Sequence, residues 1–100
     1  MAHYLLRYTL APDYLERRGA HRDAHLALAW AAADRGALLL GGAVGDPAES
    51  ALLLFTDPQA ARAFAESDPY VAQGLVTQWD AVPWTTVVGV DAATPVRPAP

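Results

Sequence analysis

The alternation of hydrophobic and polar residues predicts that the chain begins with a half-buried β-strand from His3 to Leu10. Alternate side chains of a strand point to opposite faces of the sheet. One face would carry Tyr4, Leu6, Tyr8 and Leu10, and the other His3, Leu5, Arg7 and Thr9. Pro12 and Asp13 follow directly and end the strand, because both residues favour turns.

A long helix is predicted next, from Asp13 to about Arg35. Asp13 is a helix-capping residue, Glu16 stands three residues later in capping-box position, and Gly36 supplies a C-terminal stop. Helical spacing places one stripe of side chains on a common face. Its members are Leu15, Gly19, Arg22, Leu26, Ala29 or Trp30, and Ala33. The charged Arg22 is the anomaly in this otherwise apolar stripe.

The rest of the chain predicts a second helix and three further strands. Asp57 and Pro58 open the helix as its N-cap and first residue, and its buried stripe would contain Ala61, Phe64 and Ala65. The remaining predicted elements are strands at 37–44, 51–55 and 77–89, the last interrupted at Pro83, and a short helical turn within 71–76 closed by Gly74.

The predicted order β-α-β-β-α-β is that of the ferredoxin-like arrangement, an α+β fold with two helices on one face of an antiparallel sheet. The strand at 51–55 is apolar on both faces. Leaving the second face in water would forgo roughly 25 cal/mol per Å² of apolar area. We therefore expect a homodimer in which two copies pack sheet to sheet. Residues 1–90 would form the single domain, and the proline-rich residues 91–100 a flexible tail.

Composition narrows the classes of partner. The net charge is −4 and every basic residue is an arginine or histidine, so the chain lacks the basic stripe typical of nucleic-acid binding. It has no cysteine, which excludes disulfides and thiolate catalysis. The first residues do not resemble a signal peptide, and no apolar run approaches the ~18 residues that span a bilayer. We expect a cytoplasmic protein without nucleic-acid or membrane partners.

Two polar clusters contain the candidate chemistry. One surrounds His25 on the first helix, and the other is the segment Ser67-Asp68-Pro69-Tyr70 at the end of the second. A histidine exchanges protons near neutral pH, and a carboxylate on one ring nitrogen increases the basicity of the other. If the fold brings His25 to Asp68, the two are a candidate catalytic acid–base pair, because no activated serine or cysteine accompanies them.

Three further side chains are candidates for substrate binding. Arg22 and Arg7 could each bind a carboxylate, and Tyr70 could donate a hydrogen bond to a substrate oxygen. The candidates also have structural interpretations. His25 could tie the first helix to the loop at 68–70, Asp68 could cap the next short helix, Tyr70 could anchor the loop by its ring, and Arg22 could pair with an acid.

Metal and phosphate sites are weaker interpretations of the same residues. His21 and His25 have zinc-ligand spacing, but a metalloprotease helix has glutamate where Arg22 stands. The glycines at 41, 42 and 45 are not followed by a helix N-terminus or a GK[ST] signature, so they do not predict a phosphate-binding loop. We expect neither a metal nor another cofactor.

The chain resembles the YciI-like, or YCII-related, family over roughly residues 3–88. The resemblance rests on the run from Asp57 to Tyr70 with Gly74-Leu75 after it, and on the helix segment 22–26 followed by Gly36 and Leu39-Leu40-Gly41-Gly42. The chain departs from the family pattern after the second strand, where Gly42-Ala43 stands in place of the frequent Gly-Pro.

This resemblance implies a dimeric α/β barrel related in fold to muconolactone isomerase, with His25 and Asp68 in the places of a proposed catalytic pair. Some relatives act as isomerases or dehydrohalogenating lyases on unsaturated lactones or acids. Together with the residues, it favours a cofactor-independent lyase or isomerase acting on a small anionic unsaturated or carbonyl substrate. The alternative is a non-catalytic ligand-binding or accessory module of the same fold, in which His25 and Asp68 only stabilise a loop.

Overall fold

A four-stranded antiparallel sheet forms the centre of the computed structural model, which describes residues 2–99. Its strands are β1 (His3–Leu10), β2 (Leu38–Val44), β3 (Ser50–Phe55) and β4 (Val76–Trp84). Their spatial order is β2-β3-β1-β4, and all pairings are antiparallel. Together with the two helical crossovers, this order confirms the predicted ferredoxin-like α+β fold. Met1 and Pro100, the outer ends of the predicted domain and tail, lie outside the described residues.

Alternate residues of β1 determine which face of the sheet is buried. Leu6 stands opposite Leu53 of β3 and Ala81 of β4, and all three point toward the helices. The hydrophobic core lies between this face and the helices, as the alternation predicts. Its larger buried members are Leu6, Tyr8, Leu10, Tyr14, Leu38, Leu53, Phe55, Phe64, Tyr70, Leu75 and Val76.

The single helix predicted at 13–35 is wrong, because the segment is broken in the middle. It forms α1 (Tyr14–Arg17), a 3-10 turn (Arg18–Ala20) and α2 (Arg22–Asp34). The turn contains Gly19, and glycine disfavours a helix interior because it loses the most backbone freedom there.

The predicted capping and apolar stripe change with this break. Asp13 makes no side-chain hydrogen bond to the helix backbone, and its carboxylate lies 3.7 Å from the guanidinium of Arg17. In α1 it is Tyr14 that is buried, whereas Leu15, which the uninterrupted stripe placed inside, is exposed. Gly36 ends α2 in the left-handed conformation, as predicted.

Two Asp-Pro pairs begin the helices of the second half. In α3 (Pro58–Ser67) the carboxylate of Asp57 accepts a hydrogen bond from the backbone of Gln59 at 3.3 Å. The three apolar residues predicted for its buried stripe are all buried. In α4 (Pro69–Ala72) Asp68 is the capping residue, so the bend between α3 and α4 lies at this aspartate.

The last strand ends at Trp84, earlier than the predicted residue 89. Pro83 lies within β4, which it can do because β4 is an edge strand. Thr86 then organises the following segment: its hydroxyl lies 2.7 Å from Nδ1 of His3 and accepts a hydrogen bond from the backbone of Ala93 at 2.8 Å. No helix within residues 2–99 has the length and apolar character to cross a membrane.

The face of the sheet away from the helices, which we call the open face, is mostly apolar. At its centre Arg7 contacts the carboxylate of Asp80 with two hydrogen bonds, of 2.8 Å from Nε and 2.6 Å from Nη2. The apolar residues around this ion pair, identified by strand register, are Leu5, Leu40, Leu52, Leu54, Val82 and Trp84. Leu40 alone leaves 73% of its surface exposed.

Candidate active site

The predicted contact between His25 and Asp68 is present where α2 meets α4. The Nδ1 atom of His25 lies 2.9 Å from Oδ1 and 3.0 Å from Oδ2 of Asp68. The Asp68 side chain is 0% exposed, whereas that of His25 is 16% exposed. The other ring nitrogen, Nε2, has no hydrogen-bond partner within residues 2–99 and is open to solvent. The pair therefore combines a sealed carboxylate with an imidazole that opens outward.

Three donors hold the Asp68 carboxylate in place. The backbone N–H of Tyr70 donates to Oδ1 at 3.0 Å, and the hydroxyl of Tyr8 on β1 donates to Oδ2 at 2.8 Å. The third donor is His25. A buried carboxylate requires such partners, and it can only accept hydrogen bonds. This pattern assigns the proton of the neutral imidazole to Nδ1 and leaves the lone pair on Nε2.

Tyr8 is held as a permanent donor to this carboxylate. Burial raises the pKa of the Tyr8 hydroxyl, and the charge and hydrogen bond of Asp68 raise it further. Loss of the phenolic proton would place a second negative charge beside Asp68 in a water-free site. The hydroxyl therefore remains protonated throughout the neutral range, and the carboxylate keeps its third partner.

Tyr70 packs flat against the imidazole. The two ring centroids are 3.9 Å apart and the ring planes differ by 7°, while Phe64 meets His25 from the side at 6.1 Å. The Tyr70 hydroxyl is buried and has no hydrogen-bond partner within residues 2–99. Burial raises its pKa, the neighbouring Tyr14 adds to this effect, and Arg22 opposes it. The stacking fixes the plane in which Nε2 of His25 points.

A groove of about 410 Å³, which we call the α2 groove, opens beside the pair. It runs between α2 and the helix side of the sheet, and its volume is that of a small-molecule site. One wall is a single face of α2, formed by Arg22, His25, Leu26, Ala29, Trp30 and Ala33. Opposite it, Gly41 and Ala43 of β2 and Ala51 of β3 leave the space free because they have little or no side chain.

The polar end of the α2 groove is positively charged. Arg18 and Arg22 line it together with His25, and within the described part of the chain its lining contains no carboxylate. Neither arginine forms a salt bridge with residues 2–99. Arg18 also lies over the ring of Tyr14, with its guanidinium carbon 5.8 Å from the centroid. This end can therefore bind an anion without displacing a protein carboxylate.

The structure brings four of the five candidate residues together. His25, Asp68 and Tyr70 are in mutual contact, and Arg22 lines the same groove. Arg7 is not brought to them, because its side chain points to the open face and is bound to Asp80. The Tyr70 hydroxyl is inaccessible to solvent. Tyr70 therefore contacts His25 by stacking of its ring and does not present a hydrogen-bond donor to the groove.

The site also contains Tyr8, Tyr14 and Arg18, which were not predicted from the sequence. The alternation along β1 does place Tyr8 on the core face, and a buried tyrosine hydroxyl usually has a hydrogen-bond partner. That rule could have identified Tyr8 as part of a polar site, although not Asp68 as its partner. Tyr14, Arg18 and Arg22 are spaced four residues apart and line the groove together, a spacing that could have indicated a shared face. Within residues 2–99 no group of three or more potential metal ligands is clustered.

These features define a class of small α+β proteins in which a buried aspartate positions an outward-facing histidine beside a groove. The chain belongs to the YCII-related domain family, whose family model matches residues 1–85. No curated protein matches the sequence significantly. The family assignment confirms the resemblance found in the sequence.

Two solved structures have a similar fold. One is the 5-chloro-2-hydroxyhydroquinone dehydrochlorinase (TftG) of Burkholderia phenoliruptrix AC1100, in complex with 2,5-dihydroxybenzoquinone. It is 20% identical, the match covers 84% of this chain and 94% of that chain, and the TM-score is 0.68. The other, proposed to be an antibiotic biosynthesis monooxygenase of Bacteroides thetaiotaomicron VPI-5482, is 13% identical, with 96% and 95% coverage and a TM-score of 0.49. At 20% identity the first likeness supports the fold.

Proposed function

We propose that this protein is a cofactor-independent lyase or isomerase in which His25 transfers a proton on a small anionic unsaturated or carbonyl substrate. The observation that carries the proposal is the asymmetry of the pair: Asp68 is sealed, while His25 lines the α2 groove and its Nε2 has no hydrogen-bond partner within residues 2–99. Nε2 is therefore the atom through which the imidazole could exchange a proton with a ligand in the groove.

The chemistry follows from the hydrogen-bond pattern. In an elimination, Nε2 takes a proton from the substrate, the electron pair left behind forms the new double bond, and the leaving group departs with its own bonding pair. In an isomerisation, the imidazolium returns the proton to a different atom. In both reactions Asp68 stabilises the imidazolium, and Arg22 orients the substrate anion.

The family and the dehydrochlorinase of similar fold support the lyase side of this proposal. The reaction of a dehydrochlorinase, loss of hydrogen chloride, is an elimination. The compound in that complex, 2,5-dihydroxybenzoquinone, is a small unsaturated carbonyl compound of the kind proposed as a substrate for this chain.

A matched pair of histidine variants tests the mechanism. The substrates are 5-chloro-2-hydroxyhydroquinone, followed by chloride release, and muconolactone in deuterated water, followed by deuterium incorporation. We expect His25→Gln to lower turnover about 10²–10⁴-fold. His21→Gln, one helical turn away and outside the groove lining, should keep turnover.

Full activity of His25→Gln on either substrate would overturn the mechanism. The alternative function, a ligand-binding or accessory module, makes a different prediction. In that case the wild-type protein turns over neither substrate, and the substitutions at His25 and Asp68 lower only the melting temperature.

We also propose that the protein is a homodimer formed through the open face. Leucine, valine and tryptophan side chains form an apolar patch on one side of the ion pair there, with Thr9, Ser50 and Gln78 on the other side. An exposed apolar patch is normally covered by another protein surface. Two-fold symmetry would place the same face on both sides of the interface. The α2 groove lies on the other side of the sheet and stays open in such a dimer.

A further inference from the structure

The α2 groove is longer than a site for a one-ring substrate needs to be. Six residues of α2 line it at helical spacing from Arg22 to Ala33, which corresponds to about 16 Å of helix. The charged residues are at one end, and beyond His25 the helix wall is apolar. The groove is therefore polar at the catalytic pair and hydrophobic along most of its length.

Trp30 marks the far part of the groove. Its side chain lines the groove and is 66% exposed, although tryptophan is among the residues that contribute most when a ligand buries them. Leu26 lies between Trp30 and the charged end and is also exposed. Together they form an apolar surface in water directly next to the proposed catalytic site.

We infer that the ligand of this groove is an amphiphilic anion whose acidic group binds Arg18 and Arg22 and whose apolar chain or ring system extends along α2 to Trp30. The inference rests on the proposed function for the position of the reacting atom, which would lie next to the acidic group, within reach of His25. It goes further in specifying a second, hydrophobic part of the substrate. It also assigns Arg18 as a residue that determines specificity.

Charge complementarity favours an anionic occupant of the groove. The chain has a net charge of −4, yet the described lining of the groove has two arginines and a histidine and no acid. The floor opposite α2 is formed by Gly41, Ala43 and Ala51, which leaves room for a chain or ring. Replacing Ala43 by a residue with a larger side chain would narrow that space.

Binding of simple carboxylates tests the inference independently of turnover. Straight-chain carboxylates from butanoate to decanoate are titrated calorimetrically, with the alcohol of equal length as the uncharged comparison. We expect affinity to increase about fourfold per methylene until the chain fills the groove, and then to level off. Each alcohol should bind at least tenfold more weakly than its carboxylate.

Variants separate the two halves of the site. Arg18→Gln with Arg22→Gln should make carboxylates and alcohols bind equally, whereas Arg62→Gln, on an exposed part of α3 outside the lining, should leave the difference intact. Trp30→Ala should weaken only the longer carboxylates. Ala43→Leu should shorten the chain length at which affinity levels off. In His25→Gln, carboxylates should still bind more tightly than alcohols because Arg18 and Arg22 remain, although turnover is expected to fall about 10²–10⁴-fold.

Three results would overturn the inference. The first is equal affinity of the wild type for carboxylates and alcohols, and the second is an affinity that does not depend on chain length. The third is loss of binding at concentrations where the protein is dimeric, which would mean that a second copy fills the groove. Chain-length-dependent binding together with a fully active His25→Gln would instead refute the catalytic proposal and leave this inference standing.

Discussion

The two faces of the sheet differ in how far their charged side chains are exposed to solvent. On the helix side, the carboxylate of Asp68 is 0% exposed and accepts hydrogen bonds from three donors. On the open face, the side chains of Arg7 and Asp80 are each 52% exposed, although their contact is shorter and doubly bonded. Arg7 and Tyr8 are consecutive residues of β1, so adjacent side chains of one strand contact an exposed carboxylate and a buried one.

This difference teaches that solvent exclusion determines what each polar contact is worth, more than the length of the hydrogen bonds does. When a buried carboxylate loses a hydrogen-bond partner, no water is available to replace it. The same holds for buried donors when the carboxylate is removed. An exposed ion pair exchanges each lost contact for hydration and is screened by salt. The open face is therefore the side on which substitutions should be tolerated, unless a second copy covers it.

The largest effect is expected from Asp68→Ala. The substitution leaves His25, the Tyr8 hydroxyl and the N-terminus of α4 without their acceptor, so it should lower the free energy of unfolding by about 3–5 kcal/mol. Asp57→Ala is the matched control, because Asp57 caps another helix that begins with Asp-Pro, and it should cost about 1 kcal/mol. Urea denaturation measures both. Equal losses would mean that Asp68 is no more than a helix cap.

The next largest effect concerns the open face. In the proposed homodimer, Leu40→Glu places two carboxylates within the interface and should weaken dimerisation at least 100-fold, or by roughly 3 kcal/mol. Sedimentation equilibrium measures the dissociation constant. The control is Gln59→Glu, at an exposed position on the helix side, which should leave dimerisation unchanged. A wild-type protein that is monomeric at micromolar concentration would contradict the dimer.

A smaller effect is expected from Tyr8→Phe, which removes one of the three donors to Asp68. The loss of a buried hydrogen bond to a charged group should lower the free energy of unfolding by about 2 kcal/mol at pH 7. The pH dependence gives a second measurement. Because the folded state raises the pKa of Tyr8 above its unfolded value of about 10, its stabilising contribution is complete below pH 10 and declines above it.

Wild-type stability should therefore fall by about 1 kcal/mol more than that of Tyr8→Phe between pH 10 and pH 11, because the unfolded chain releases a proton that the folded chain retains. Denaturation curves at both pH values test this sign. Parallel losses in the two proteins would show that Tyr8 does not hold its proton more tightly when folded.

The smallest effect is expected from Arg7→Gln and Asp80→Asn. In the monomeric Leu40→Glu background, neither should change the melting temperature by more than the scatter between repeats at physiological salt, because the pair is exposed. In the wild-type background the same substitutions should reduce dimerisation, since the interface would exclude water from the pair. Unchanged dimerisation there would show that the pair does not lie in the dimer interface.

The sequence predicts the fold well because its signals are local. Alternation along β1 and the Asp-Pro helix starts each depend on a few neighbouring residues. The break at Gly19 was missed because capping signals on both sides of it fit one continuous helix, and glycine only weakens a helix without forbidding it.

The site was only partly predictable, for a different physical reason. His25 and Asp68 were found through the family resemblance and their chemistry. The Tyr8–Asp68 hydrogen bond joins residues 60 positions apart, and no local pattern specifies such a pairing. Arg7 was chosen for its charge, but the strand period that buries Tyr8 directs Arg7 to the opposite face.

Asp68 is at once the cap of a helix and the partner of His25, and this double role has a consequence for how the protein can change over evolutionary time. Under the proposed function, replacing the histidine would remove one of three donors to the carboxylate, whereas replacing the aspartate would remove the shared acceptor of all three and endanger the fold itself. Relatives that have lost activity should accordingly retain the aspartate and vary at the histidine. The carboxylate alone would then be a poor marker of activity, and the histidine a good one.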